Sequence, residues 1–222
     1  MKAIRFHDRI EAGRILAEEL GGFANCPDVL VLGLPRGGVP VAGEVAEKLH
    51  APLDVLLVRK LGVPGNEELA MGAIATGGVR VIRAEIVERM GIADEVLDEV
   101  ASREQRELAR REQAYRGGLP APDVRGKTVI VVDDGIATGS TMLAAVAALR
   151  LLNAGRIIVA APTVAADTFS EIEKVADNAV AVMIAEDFRG VGEWYDDFSQ
   201  ISDDEVRRIL ADAAARLGRG DP

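Results

Sequence analysis

The chain has 222 residues, 26 of them basic and 36 acidic, for a formal net charge of −10. That length suits one α/β domain with room for a sizeable core, and the acidic balance argues against nonspecific nucleic-acid binding, which needs cations to neutralise phosphates. A single cysteine, Cys26, excludes an intrachain disulfide and fits a reducing cytoplasm; with only His7 and His50 beside it, no zinc site is expected.

Residues 8–20 place Ile10, Ile15, Leu16 and Leu20 at helical spacing, and the pattern stops at Gly21-Gly22. Val29-Leu30-Val31-Leu32 is a continuous apolar run, as in a parallel strand covered on both faces. GLPRGG (33–38) is a turn, 39–49 a helix rich in small residues, and Leu53 to Val58 a second strand, which completes a strand–helix–strand unit. The second half repeats the alternation. Strands are predicted at Thr128–Val132, Arg156–Ala161 and Ala179–Ile184, with helices at 141–152, 165–175 and 203–217. Such alternation predicts a doubly wound, mostly parallel α/β sheet, with ligands at the carboxyl ends of its strands.

Between the halves the character changes. Residues 83–116 carry 16 charged side chains in 34 positions, with Ile86, Met90, Val96, Leu97, Val100 and Leu108 as the apolar minority. This predicts one or two solvated helices breaking near Gly91 and forming a charged helical insertion over 83–117. No apolar run approaches the roughly 20 residues of a membrane span. The opening MKAIRFHDRIEAGR lacks the continuous apolar core of a signal peptide, so a cytoplasmic protein is expected.

The most informative segment is VIVVDDGIATGSTM, 129–142. A buried strand ends in Asp133 and Asp134, and a short turn leads through Thr138-Gly139-Ser140-Thr141 into a helix. A helix start of this kind leaves backbone N–H groups free for an anion, and Gly139 lets the chain approach a phosphate closely. Two aspartates expected in the same exposed turn suit sugar hydroxyls or a divalent cation. Together these features describe a sugar phosphate.

This string resembles the signature of the type I phosphoribosyltransferases, which bind 5-phosphoribosyl-1-pyrophosphate (PRPP). The resemblance spans about 28–82 and 124–200 and is closest to bacterial members that carry PRGG, VRK and a WYxDF-type tail. It implies a single domain over 1–222. Asp133 and Asp134 would hold the ribose hydroxyls, and Ala137, Thr138, Gly139, Ser140 and Thr141 would wrap the 5′-phosphate. Pro35, Arg36, Gly37 and Gly38 match the family's pyrophosphate loop. The segment is neither a P-loop nor a dinucleotide fingerprint. Arg59 and Lys60 are placed at the end of the Leu53–Val58 strand. They read as a solvated basic pair or, by resemblance, as pyrophosphate contacts. Residues 61–80 correspond to a flexible lid, with an ordinary hairpin as the alternative. Residues 185–202 form a hood, in which Phe188, Trp194 and Tyr195 are candidates to stack on a base or else anchor the last helix.

The implied reaction is phosphoribosyl transfer from PRPP to a nucleobase or similar nitrogen heterocycle, with release of pyrophosphate. Asp133, Asp134, Arg36, Arg59 and Lys60 would be the catalytic set, and Mg²⁺ would be held mainly through PRPP. A homodimer is implied by resemblance alone. Two departures stand out. Position 137 is Ala where hypoxanthine/guanine members carry an aspartate, which argues against a 6-oxopurine. Position 135 is Gly where an apolar residue is common, which predicts a looser turn. The alternative function is a non-catalytic PRPP-sensing regulator.

Overall fold

The computed structural model describes residues 5–218; the ends of the expected 1–222 domain lie outside them. In chain order the elements begin with α1 (Arg9–Glu19), β1 (Val29–Gly33), α2 (Gly38–Leu49) and β2 (Leu53–Val55). Three strands follow, β3 (Val58–Val63), β4 (Asn66–Ala75) and β5 (Val79–Ile82), and then two helices, α3 (Ala84–Met90) and α4 (Asp94–Arg116). The second half comprises β6 (Thr128–Val132), α5 (Ser140–Leu151), β7 (Arg156–Ala165), α6 (Ala166–Glu173), β8 (Asn178–Ala185) and α7 (Asp203–Leu217).

The main sheet is parallel, in the order β2-β1-β6-β7-β8. Its central strands β1, β6 and β7 are mostly apolar because each face meets a different layer. Val29, Val31, Ile130, Val132, Ile158 and Ala160 pack with Leu16 of α1 and Val41 and Val45 of α2. The intervening Leu30, Leu32, Val129, Val131, Ile157 and Val159 pack with Val146 and Leu149 of α5 and Ile172 of α6. A two-residue repeat thus sends alternate side chains to opposite helical layers. Among the described residues no helix is long and apolar enough to cross a membrane.

The expected strand Leu53–Val58 is divided. β2 ends at Val55, and Val58 opens β3 in a separate antiparallel sheet ordered β3-β4-β5. The break is held by Thr76, whose backbone N–H donates to Leu57 O at 2.9 Å and whose hydroxyl accepts from Leu57 N at 3.0 Å. Arg59 and Lys60 therefore lie within β3 and not at the end of a parallel strand. Residues 61–80 fold as the body of this small sheet. A Cβ at Gly62 would lie 2.8 Å from Glu67 O, and one at Gly72 would lie 2.5 Å from Val81 O, so these glycines permit close strand approach.

The insertion breaks at Gly91, in left-handed backbone with φ 61°, giving two helices. It is not merely a charged face on water. Leu97, Val100, Ala101, Leu108 and Tyr115 of α4 are buried in a third core with Leu61, Met71, Ile74 and Val206. Arg116 closes α4 onto β2, donating to Asp54 at 3.0 Å and to Val55 O at 2.6 Å. Leu108→Ala should therefore destabilise the protein by about 2–5 kcal/mol in urea unfolding. A loss within about 0.5 kcal/mol, the range of ordinary surface changes, would show a solvated appendage instead.

Candidate active site

β1 and β6 are neighbours, and each ends at the same edge of the sheet in a tight turn leading to a helix. Leu34 N donates to Val132 O at 2.9 Å and holds the two turns side by side. Neither α2 nor α5 has a side-chain N-cap, so two helix N-termini open at this edge with amides available to anions.

The turns are packed into one unit. A Cβ at Gly37 would lie 2.0 Å from Asp134 Oδ2, and one at Gly38 would lie 2.6 Å from Val132 O and 2.8 Å from Asp133 Cα. No side chain fits at either position. The Pro35–Arg36 peptide in this loop is cis.

The two aspartates are not equivalent, and the expectation that both sit in an exposed turn fails: Asp133 is half-buried and Asp134 is buried. Asp134 is paired through Oδ2 with Arg9 Nε at 2.7 Å. Removing one partner of such a pair strands a buried charge, at a cost of about 3–5 kcal/mol. Asp133 accepts from Asp134 N through Oδ1 at 2.9 Å. Burial first, then the neighbouring Asp134 carboxylate, push its carboxyl well above the ordinary range.

The second turn has the form of an anion cradle. Gly139 precedes α5 in left-handed backbone (φ 68°), and a Cβ there would come within 2.5 Å of Thr168 Cγ2. Thr168 in turn donates its hydroxyl to Ala137 O at 2.6 Å and fixes the loop. Thr138, Ser140 and Thr141 lie beside the α5 amides, and all three are exposed.

The cationic residues converge from several elements. Arg36 lies 3.9 Å from Asp203, at the start of α7, which also accepts from the Tyr115 hydroxyl at 2.7 Å. Burial and that hydrogen bond push the Tyr115 phenol up to about 12, so it remains a donor. Arg59 donates twice to Glu104 Oε2 of α4, at 2.6 and 2.9 Å. A cavity of about 400 Å³ is lined by Arg59, Lys60, Arg103, Glu104 and Thr141, which joins the β3 cations to the start of α5. A narrower cleft brings Pro35, Arg59, Arg111 and Thr141 together. A separate cavity of about 590 Å³ lies at the far end of α2 beside His50 and Arg216, and none of the candidate site residues line it.

The hood candidates separate. Tyr195 is buried with Phe6 and Ala12, and its hydroxyl donates to Asp134 O at 2.5 Å, so its ring is not available to a base. Burial and the Asp134 charge raise its phenol. Phe188 and Trp194 are half-buried, with ring centroids 5.9 Å apart. Gly135 does not loosen the turn: a Cβ there would lie 2.5 Å from Val191 Cγ1 of the hood. Arg9, Glu104, Tyr115 and Asp203 escape sequence reasoning because each reaches the site only through tertiary packing. The one local sign for any of them is the placement of Asp203 beside a helix-starting Ser202.

With this geometry in view, comparison with known proteins identifies the class. Residues 6–191 match the phosphoribosyl transferase domain, and the chain belongs to that family. Two Mycobacterium tuberculosis proteins, from strains CDC 1551 and H37Rv, are each 42% identical over 98% of this chain and are named "Putative phosphoribosyl transferase" MT0597 and Rv0571c. The chain spans about half the length of these relatives, covering 50% of each. The crystal structure of TT1426 from Thermus thermophilus is 40% identical, with a TM-score of 0.84 over 94% of this chain and 99% of that one. The AQ2163 protein from Aquifex aeolicus shares the fold alone, at 13% identity and a TM-score of 0.51 over 83% of this chain and 78% of that one.

The displaced titration of Asp133 has a consequence for stability. A carboxyl raised in the folded state binds more protons than in the unfolded chain between its two pKa values, so stability falls as pH rises through that window. Asp133→Asn should raise the melting temperature at pH 7 and flatten this decline above the ordinary carboxylate pKa. Thermal unfolding from pH 4 to 8 measures both; a lower melting temperature at pH 7 would contradict the burial argument.

Proposed function

We propose that the protein transfers a phosphoribosyl group from PRPP to a nitrogen acceptor and releases pyrophosphate. The observation that carries this reading is the packing of two uncapped turns into one unit with Asp133 and Asp134 between them. The α5 turn from Ala137 to Thr141 takes the 5′-phosphate, Asp133 and Asp134 face the ribose hydroxyls, and the Pro35–Gly38 loop takes the pyrophosphate. The acceptor nitrogen forms a bond to ribose C1 while the bond from C1 to the pyrophosphate oxygen breaks. Pyrophosphate leaves with the electron pair, and the acceptor's proton passes to solvent.

Positive charge grows on the ribose ring and negative charge on the leaving group. Arg36, Arg59 and Lys60 stabilise the latter from fixed positions, and groups of this kind contribute about 3–4 kcal/mol each in a transition state. Arg59 is preoriented by Glu104, while the Arg36 guanidinium, carried by the loop itself, lies 3.9 Å from Asp203. The hairpin of residues 61–80 forms the lid that excludes water from the reacting carbon.

Among the described residues no cluster of three or more His, Cys, Asp or Glu could hold a metal. Two carboxylates, one committed to Arg9, suit Mg²⁺, which keeps several waters and takes ligands from substrate phosphates. Asp133 and PRPP's own oxygens would hold the ion, whose chemistry is to neutralise charge on the departing pyrophosphate. Ala137 supplies no carboxylate to the acceptor, so the acceptor is a nitrogen heterocycle other than a 6-oxopurine, lying near Phe188 and Trp194. A cytoplasmic reaction suits a chain whose single cysteine is free.

Calorimetric titration with PRPP should show binding that needs Mg²⁺ and is lost in Asp133→Asn. Incubation with PRPP and a panel of bases should release pyrophosphate. Binding without turnover would instead favour a sensor, and no binding at all would end the transferase reading. Arg36→Ala should weaken inorganic pyrophosphate by about 10–100-fold, the value of a charged hydrogen bond, and ribose 5-phosphate much less. Equal losses for the two ligands would mean that the first loop has been misassigned.

A further inference from the structure

Arg9 and Arg116 are the buried arginines among the described residues, and they serve different ends of the molecule. Arg116 fastens α4 to β2. Arg9, in the first turn of α1, points at the motif that ends β6. Its Nε donates to Asp134 Oδ2 at 2.7 Å and its Nη1 donates to Ser199 O at 2.8 Å. Its guanidinium carbon lies 3.9 Å from the centre of the Phe198 ring and 5.9 Å from that of Tyr195. One planar cation therefore touches the ribose-side carboxylate, the hood backbone and two hood rings.

The other contacts at this junction follow the same path. The chain around Phe6 is zipped to the hood by Phe6 N donating to Trp194 O at 2.9 Å, Asp196 N to Phe6 O at 2.9 Å and Asp197 N to His7 O at 2.8 Å. Tyr195 donates to the carbonyl of Asp134 itself. Asp134 is thus held at its carboxylate by Arg9 and at its backbone by Tyr195, while the Gly37 backbone lies against the same Oδ2. Among the described residues no protein donor engages Asp134 Oδ1, and the Asp133 carboxyl stands beside the same side chain.

We propose that Arg9 is a positioning residue for the ribose end of the site. It fixes the torsion of the Asp134 carboxylate and makes that orientation depend on the 195–199 segment being seated on α1. Groups that orient a ligating carboxylate from behind typically change ligand affinity when removed, without touching the ligand. The PRPP arm of the test rests on the phosphoribosyl-transfer reading, whereas the coupling of Arg9 to the hood does not.

The rival view is a buried ion pair that only holds the fold. It predicts equal losses for every ligand of the site. Positioning predicts a selective loss, because ribose hydroxyls meet Asp134 and free pyrophosphate does not. The experiment compares wild type, Arg9→Met, Arg9→Lys, Asp134→Asn and the Arg9→Met/Asp134→Asn double variant. Each is titrated with PRPP, ribose 5-phosphate and inorganic pyrophosphate, and backbone hydrogen exchange is followed without ligand. In Arg9→Met, PRPP and ribose 5-phosphate should weaken by about tenfold or more, with pyrophosphate unchanged. Arg9→Lys should recover part of the loss, and the double variant should bind no worse than Asp134→Asn alone. Exchange should quicken together in residues 133–137 and 195–199. Equal losses for all three ligands, or faster exchange confined to α1, would overturn the proposal. If wild type takes none of the ligands while exchange still quickens in both segments, the coupling of Arg9 to the hood stands, and the ribose-positioning role falls together with the transfer reading. Should Arg9→Met not fold, Arg9→Lys and Phe198→Leu carry the same comparison.

Discussion

The active edge depends on how closely the backbone at Gly37 lies against the Asp134 carboxylate. With a Cβ position only 2.0 Å from Oδ2, any side chain at residue 37 would push apart the two turns that the β1–β6 pairing brings together. The contact needs three things at once. Glycine is required on the first turn, a short carboxylate on the second, and a cation behind that carboxylate to make its burial tolerable. Arg9 supplies the cation, at 2.7 Å and with both side chains about nine-tenths buried. The result is a site whose two halves cannot move independently.

Much of that arrangement is legible in the chain itself. Continuous apolar runs at Val29–Leu32 and Thr128–Val132 require strands covered on both faces, and the glycine turns after them place the site at one sheet edge. PRGG and DDGIATGST are local in sequence, and their chemistry is carried by backbone amides, hydroxyls and carboxylates within a few residues. What escapes a sequence reading is everything that arrives by tertiary contact. Nothing about Arg9, one of many charged residues in its helix, distinguishes it from exposed Arg14, its neighbour on α1. Leu53 to Val58 is a uniform strand by propensity. Only Thr76, nineteen residues further on and hydrogen-bonded to Leu57, divides it between two sheets.

The insertion misleads for a related reason. A helix with 16 charges in its neighbourhood reads as solvated because composition averages over its faces. In α4 the apolar residues fall on one side and close the third core, while charges at the border are committed to partners. Glu104 holds Arg59, Tyr115 holds Asp203, and Arg116 holds Asp54. Those three contacts reach β3, α7 and β2 in turn, so α4 braces both Arg59 of β3 and the strand that precedes it.

The site therefore sets competing demands on two adjacent carboxyls. Asp134 is neutralised by a guanidinium and serves the architecture, joining α1, the hood and the first loop. Asp133 has no such partner; its charged form is opposed by burial and by Asp134, and it is stabilised by the Asp134 amide. An acid held in this state is costly to the fold and is relieved when a cation or a set of hydroxyl donors comes to it. The same imbalance that opposes the charged form of Asp133 would be eased by a cation or a hydroxyl donor placed against its carboxyl. This ties the chemistry of the edge to the burial of one carboxyl.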